Sequence, residues 1–581
     1  MKFIRYCYIG ILFAQFASAT TYYVDSNAGN DSNAGTSPSS PWKTLAKVNS
    51  QVFNPGDQIL FSRGDIWRET LAPATGGLPG SPVVFGAYGS GNNPKISGAN
   101  LVTGWTQYSG SIWMASVSIQ PNVAIFNGAP GTKKTSISSL QNPQDWYWSS
   151  STLYVFSPSD PDSAYTNPGV EAGARNRCIS VKQNYLQFQN LTVSGCNGYG
   201  IANDSPGPLV GDEFRNLTVQ FIGNTGIQLA AVQQAIIDSC VVSYTAANGI
   251  YVVSNSMGLS NTVTMSNNTA YHIPGMAIGT DGDATHLTTA VTLTNNTAYT
   301  SGDGIYIHYT DNSTVSGNVS YSNTLREGTG IGISGCWYNT IEKNQAYSNG
   351  SNGIEMSAGR FADARGAANN IVRYNIVYNN HNYGIKSSSS GSVNNQIYYN
   401  LIYGQTNPDT CALHIWSTGH RIFNNTIYNN YNGICLYLDS ANISIENNII
   451  ANSANTLVSA PAPVTGFVCD YNLYWPSSVE FAWQSNAMSF SAWKSTTGQD
   501  AHSSMANPQF VATAPANAND LKLLWNSPAI DAGVNLGPNY WRGLDEQSMT
   551  IPFNTVNQNS FGKGWDIGAF VYRQQFIIVV N

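Results

Sequence analysis

Along the middle of the chain, apolar residues form short runs that alternate with polar ones. Each run opens with a small residue and an aliphatic one: Gly200-Ile201, Gly226-Ile227, Gly249-Ile250, Gly275-Met276, Gly304-Ile305, Gly330-Ile331, Gly353-Ile354, Gly384-Ile385, Ala412-Leu413 and Gly433-Ile434. The starts lie 21 to 31 residues apart, and the intervals hold asparagine-rich phrases such as MSNNTAYHI, VSGNVSYSN and FNNTIYNN. Alternation with period two sends successive side chains to opposite faces, which marks strands rather than helices. Short strands separated by Asn and Gly turns, repeating every 20 to 30 residues, predict a solenoid whose every coil is a few strands. Leucine-rich repeats share that length but need a leucine scaffold and a helical arm; the runs here favour Ile, Val, Thr and Tyr.

The expected fold is therefore all-β, a right-handed parallel β-helix whose coils stack about 4.8 Å apart. Residues 20–175 are expected to cap and start the solenoid, 176–455 to hold the regular coils, and 456–581 to end it and pack along its outside. Inward side chains should form apolar ladders, and the turn asparagines should stack in hydrogen-bonded rows, a structural role. In a strand reading Gly-Ile-x-apolar, x faces solvent. Aligning the coils on that step gives one outward column of Ala202, Gln228, Tyr251, Ala277, Tyr306, Gly332, Glu355, Lys386, His414 and Cys435. Two residues along lies a second column, His308, Ser334, Ser357, Ser388, Trp416 and Tyr437. Gly332 and the three serines leave a low floor between Tyr306 and His308 at one end and Trp416 and Tyr437 at the other. That is a groove for an extended chain, with those four residues as candidate substrate contacts through their rings.

Composition narrows the partner. Charged residues make up 10% of the chain and the formal net charge is -7, against about 25% charged in ordinary globular proteins. No basic run is present, so a nucleic-acid partner is not expected; a surface rich in Tyr, Trp and amides suits sugars. Residues 1–19, with Lys2 and Arg5, an apolar run from Tyr8 to Phe16 and Ala17-Ser18-Ala19, read as a secretory signal. The apolar stretch is shorter than the roughly 20 residues a membrane span needs, so the expected location is extracellular or periplasmic. The cysteines left after the signal, Cys178, Cys196, Cys240, Cys336, Cys411, Cys435 and Cys469, are odd in number and match no zinc spacing. One or more disulfides are compatible with that count, but no framework can be assigned, and isolated buried thiols acting as small hydrophobes are the simplest account. No oligomer signal is visible, and a monomer is expected.

The opening TYYVDSNAGNDSNAGTSPSSPWKTL, the later PGDQILFSRGDIWRETL, the coils above, and the ending SPAIDAGVNLG with DIGAFVY resemble secreted bacterial right-handed parallel β-helix proteins of the pectin-lyase-like superfamily. The resemblance spans nearly the whole mature chain. It implies carbohydrate chemistry, but leaves open which, since the superfamily holds lyases, hydrolases, epimerases and binding proteins.

Glu355, Lys386 and His414, on three successive rungs, are the candidate reaction centre. For a uronate-containing glycan the reaction would be β-elimination, which needs a base, a positive group or Ca²⁺ facing the substrate carboxylate, and an acid for the leaving oxygen. The resemblance offers Lys386 as base, with Arg360 and His414 as partners. A neighbouring carboxylate favours an ammonium over an amine, so base action requires Glu355 to be engaged elsewhere. Asp281 and Asp283, with Asp303, are the candidate oxygen ligands for Ca²⁺. A glycoside hydrolase instead needs two carboxyl groups about 5 to 9.5 Å apart. Glu355 would be the acid, and Asp303, two coils away and three positions earlier, its partner only if a loop bends inward; Asp409, Asp439 and Glu327 are weaker. The lack of an obvious second carboxylate favours elimination. The third reading is a glycan-binding surface protein without catalysis.

Overall fold

The computed structural model describes residues 18–203, 207–359 and 365–573. The signal-like residues 1–17 and Arg360 lie outside the described residues. Three long sheets of fifteen, fourteen and fifteen strands run along the molecule, and a coil contributes one strand to each, for example Thr340–Glu342, Gln345–Tyr347 and Ile354–Ser357. Each strand pairs in parallel with its counterpart one coil on, as Thr340 does with Ile371 and Ile354 with Ile385.

The asparagines explain the corners. Between the first two strands of that coil the chain turns through Lys343, at φ 58°, and then buries Asn344. The Asn344 side-chain oxygen accepts from Asn318 N at 2.9 Å, and its amide donates to Val315 O at 2.9 Å and Asn375 Oδ1 at 3.0 Å. The same pattern runs from Asn268 through Asn296, Asn318, Asn344, Asn375, Asn400, Asn425 and Asn448 to Asn472. A buried amide left unpaired costs about 1–3 kcal/mol; here each one completes its neighbour. Inside, Ile305, Ile331, Ile354, Ile385, Leu413 and Ile434 form one fully buried ladder, each side chain stabilising by about 1.5–3 kcal/mol. On another edge Tyr271, Tyr299, Tyr321, Tyr347, Tyr378 and Tyr403 stack with centroids 4.7 to 5.1 Å apart.

The coils begin early: Thr21–Val24 already pairs with Gln58–Ser62, and Lys95–Ser97 joins the third long sheet. Between Lys95–Ser97 and Arg177–Val181 the chain leaves the solenoid for two small sheets with their own core on Phe126, Trp146 and Leu153. At the far end the helix Phe490–Thr497 buries Trp493 against the last coils. The segment after it returns along the outside, where Tyr374 OH donates to Arg542 O at 2.7 Å and Tyr399 OH donates to Tyr540 O.

Two sequence expectations need correction. The coil after Tyr251 is aligned on Ala277-Ile278, not Gly275-Met276: Tyr251 pairs with Gly279, and Gly279 with Tyr306. The turn is no longer than in the coil before, nine positions from Val241 to Ile250 and from Thr269 to Ile278; Gly275 lies two positions ahead of the aligned Ala277, so Gly279 replaces Ala277 in the outward column. The cysteines are not all isolated. Stacking brings Cys178 to Cys196 and Cys411 to Cys435 with Cα atoms 5.8 and 6.1 Å apart, and both pairs are disulfides. Cys240, Cys336 and Cys469 are buried thiols.

Candidate active site

Six neighbouring strands of the fourteen-stranded sheet carry the candidate residues: β1 (Asp303–His308), β2 (Ile331–Ser334), β3 (Ile354–Ser357), β4 (Ile385–Ser387), β5 (Cys411–Ile415) and β6 (Asn432–Leu436). Tyr306, Gly332, Glu355, Lys386, His414 and Cys435 are register partners in that order. The constant pitch therefore sets three ionisable side chains on consecutive rungs. Lys386 Nζ lies 3.6 Å from Glu355 Oε1 and 5.5 Å from the Tyr383 ring centroid. Among the described residues the hydrogen-bond partners of the carboxylate are all donors: Ser388 Oγ to Oε1 at 3.2 Å, Asn352 Nδ2 to Oε2 at 3.0 Å and Thr329 Oγ1 to Oε2 at 3.4 Å.

The residue before each Gly-Ile step forms a third column, Asp303, Thr329, Asn352, Tyr383, Cys411 and Asn432. It places Asp303, the partner weighed for Glu355, one rung from Thr329. Asp303 is 4% exposed, and its Oδ1 accepts from Thr329 N at 3.0 Å. Burial pushes the Asp303 carboxyl up to about 6, with the Thr329 bond opposing and the charges of Glu327 and Glu355 adding to the rise. Because Thr329 touches both carboxyl groups, Asp303 and Glu355 stand within roughly 10 Å of each other, one residue's span plus two hydrogen bonds. No loop has to bend inward.

The remaining expected residues divide. Tyr306 is 6% exposed; its ring lies across Gly332, where a Cβ would stand 2.1 Å from Tyr306 Cε2, and its hydroxyl is 3.4 Å from Ser357 Oγ. It stacks on His308 with centroids 4.4 Å apart. Tyr306 is thus covered rather than presented as a platform, because the empty Gly332 rung lets its ring lie down. Tyr437, 37% exposed, and Trp416 do form an aromatic wall, their centroids 4.3 Å apart. His414 sits between Tyr383, at 4.6 Å, and Tyr437, at 5.7 Å. Burial and then the Lys386 charge push it down to about 4, so it is neutral at neutral pH and brings no positive charge to the groove. His308 is likewise pushed to about 4, by burial and Arg326.

The acidic residues considered for calcium are not assembled into a cradle. Asp281 is buried and accepts from Tyr251 OH and, at 2.8 Å, from Gly282 N. Asp283 is engaged by Thr285 and His286 within its own turn, and those bonds hold its carboxyl well below the usual range. Among the described residues no group of three or more His, Cys, Asp or Glu side chains is arranged to hold a metal ion. No helix among them is long and apolar enough to cross a membrane.

The family model described as "right handed beta helix region" matches residues 257–421, which include β1 to β5. These coils are a right-handed β-helix. The resemblance to pectin-lyase-like β-helix proteins is thereby borne out in the fold. A stretch of 98 residues, 16% of the chain, is 39% identical to a lacto-N-biosidase of Bifidobacterium longum subsp. longum and covers 6% of that protein's length. Among solved β-helix structures, the complex of XylC with xylose is 14% identical, aligned over 80% of this chain and 84% of that one at a TM-score of 0.47. A GH136 lacto-N-biosidase from Eubacterium ramulus is 16% identical, over 68% of this chain and 65% of that one, at 0.46.

Proposed function

We propose that the β-helix is a glycoside hydrolase, with Asp303 as general acid and Glu355 as the carboxylate that activates water or attacks the anomeric carbon. The observation that carries this reading is the pair itself. One buried carboxyl group is raised toward neutrality, one carboxylate is faced by donors and a lysine, and a single threonine bridges them. Paired carboxyl groups with separated environments are what acid-base glycosidic cleavage needs. Asp303 protonates the leaving oxygen, Glu355 acts on the other side of the bond, and Lys386 and Asn352 hold the Glu355 head in place.

Elimination with Lys386 as base is the competing chemistry. Its weakness is that the Lys386 ammonium lies against Glu355, and that His414 is neutral where a uronate carboxylate needs a positive partner. Two disulfides and the signal-like first residues support a secreted enzyme, since such bonds persist in oxidising compartments.

The test is incubation with a panel of neutral and acidic polysaccharides. Hydrolysis releases new reducing ends without ultraviolet-absorbing unsaturated products, and Asp303→Asn and Glu355→Gln each lower the rate by about 10²–10⁴-fold. Unsaturated products would establish elimination instead, and binding without products of either kind would establish a non-catalytic glycan binder.

A further inference from the structure

Beyond His414 the groove opens into a cavity of about 370 Å³ whose lining includes Tyr383, Asp409, His414, Tyr437 and the disulfide-bonded Cys411 and Cys435. Its volume falls within the range of about 300–1,000 Å³ typical of small-molecule sites. Cys435 is one rung past His414, so the cavity begins two rungs, about 10 Å, from Glu355 along the same column. The disulfide ties β5 to β6 at its edge, which fixes the wall before any ligand arrives.

The lining carries neutral polar groups, among them Asn455, Thr456 and Ser459, but its charge is of one sign. Three flat rings, Tyr383, His414 and Tyr437, offer apolar faces, and the exposed carboxylate of Asp409 offers acceptors. Among the described residues no lysine or arginine contributes to it. The nearest cation along the column, Lys386, is held by Glu355, and His414 is neutral. A sugar carboxylate placed here would lose water, find no positive partner and face the Asp409 charge. Uncharged hydroxyls can donate to Asp409, in hydrogen bonds strengthened by its charge.

We propose that this cavity is a subsite seating one uncharged pyranose unit of the glycan, two rungs along the groove from the point of cleavage. It rests on the glycosidase reading only for its distance from the reacting bond. The substrate class that follows is a neutral oligosaccharide rather than a polyuronate.

Calorimetry on the full chain carrying Asp303→Asn tests this without turnover, using cello-, xylo-, manno- and N-acetyllactosamine oligomers and oligogalacturonate as probes. At least one neutral oligomer should bind. Adding Tyr437→Ala or Asp409→Asn, both at exposed positions, should weaken it roughly ten-fold, the scale of one lost charge-assisted hydrogen bond or ring contact. Oligogalacturonate should bind at least ten-fold more weakly than that oligomer. Equal affinity for oligogalacturonate, unchanged affinity in both variants, or no binding by any neutral oligomer overturns the proposal. A wild-type chain that binds neutral oligomers through Tyr437 but releases no reducing ends would sink the hydrolase assignment and leave the subsite standing.

Discussion

Replacing the proposed acid should make the fold more stable. Asp303 is nearly inaccessible, and its carboxyl is moved from 3.8 to about 6, a shift worth about 3 kcal/mol at 1.36 kcal/mol per unit. Between those two values the folded chain holds a proton that the unfolded chain has released, so this group's contribution falls as pH rises through the window and stays low above it. An asparagine does not titrate there, and its side-chain oxygen can still accept from Thr329 N. Urea unfolding of wild type and Asp303→Asn at pH 4 and pH 7.5 isolates the term, because everything that does not titrate cancels between the two conditions. The advantage of Asp303→Asn over wild type should grow by about 2.4 kcal/mol from the lower pH to the higher, the rest of the shift lying below pH 4, while hydrolysis is lost. An advantage that is the same at both values would mean that Asp303 does not change protonation in this range. Its assignment as the acid would then go too.

Two further substitutions address the scaffold around the site. Asn375→Ala removes the acceptor of Asn344 N and Nδ2 and the donor to Ile341 O and Asn400 Oδ1. Unfolding midpoints should report a loss of about 2–4 kcal/mol, and a change under about 1 kcal/mol would mean that the row does not carry the corners. Gly332→Ala puts a methyl group into the Tyr306 ring, which must swing out over the groove; a crystal structure should show the ring displaced and kcat/KM should fall at least ten-fold. An unmoved ring with full activity would refute the account of the low floor.

The groove was legible because two regularities coincide: the Gly-Ile step marks a fixed point in each coil, and strand alternation decides which neighbour faces out. From these, Glu355, Lys386 and His414 could be placed on adjacent rungs. Asp303 was legible too, but it sits before the step, outside the alternation that begins at the isoleucine, and so was measured against the wrong column. Tyr306 shows a different limit. Its position followed from the repeat, but where its ring points depends on the absence of a side chain one rung away. The Cys411–Cys435 bond depends on two offsets at once, one coil and three residues, which an odd count of cysteines did not suggest. Gly275-Met276 marked the wrong point in one coil because a glycine of the turn stands two positions ahead of the aligned Ala277-Ile278, whose small residue is an alanine.

The asparagine row has no special member: each amide offers its successor what it took from its predecessor. A whole turn of the solenoid could therefore be duplicated or excised with the stack resealing behind it. Such an event between β3 and β5 would change the distance from Glu355 to the pocket beside Tyr437 in units of about 4.8 Å. The spine thus works as a ruler, and the spacing between those two places is a matter of how many turns separate them.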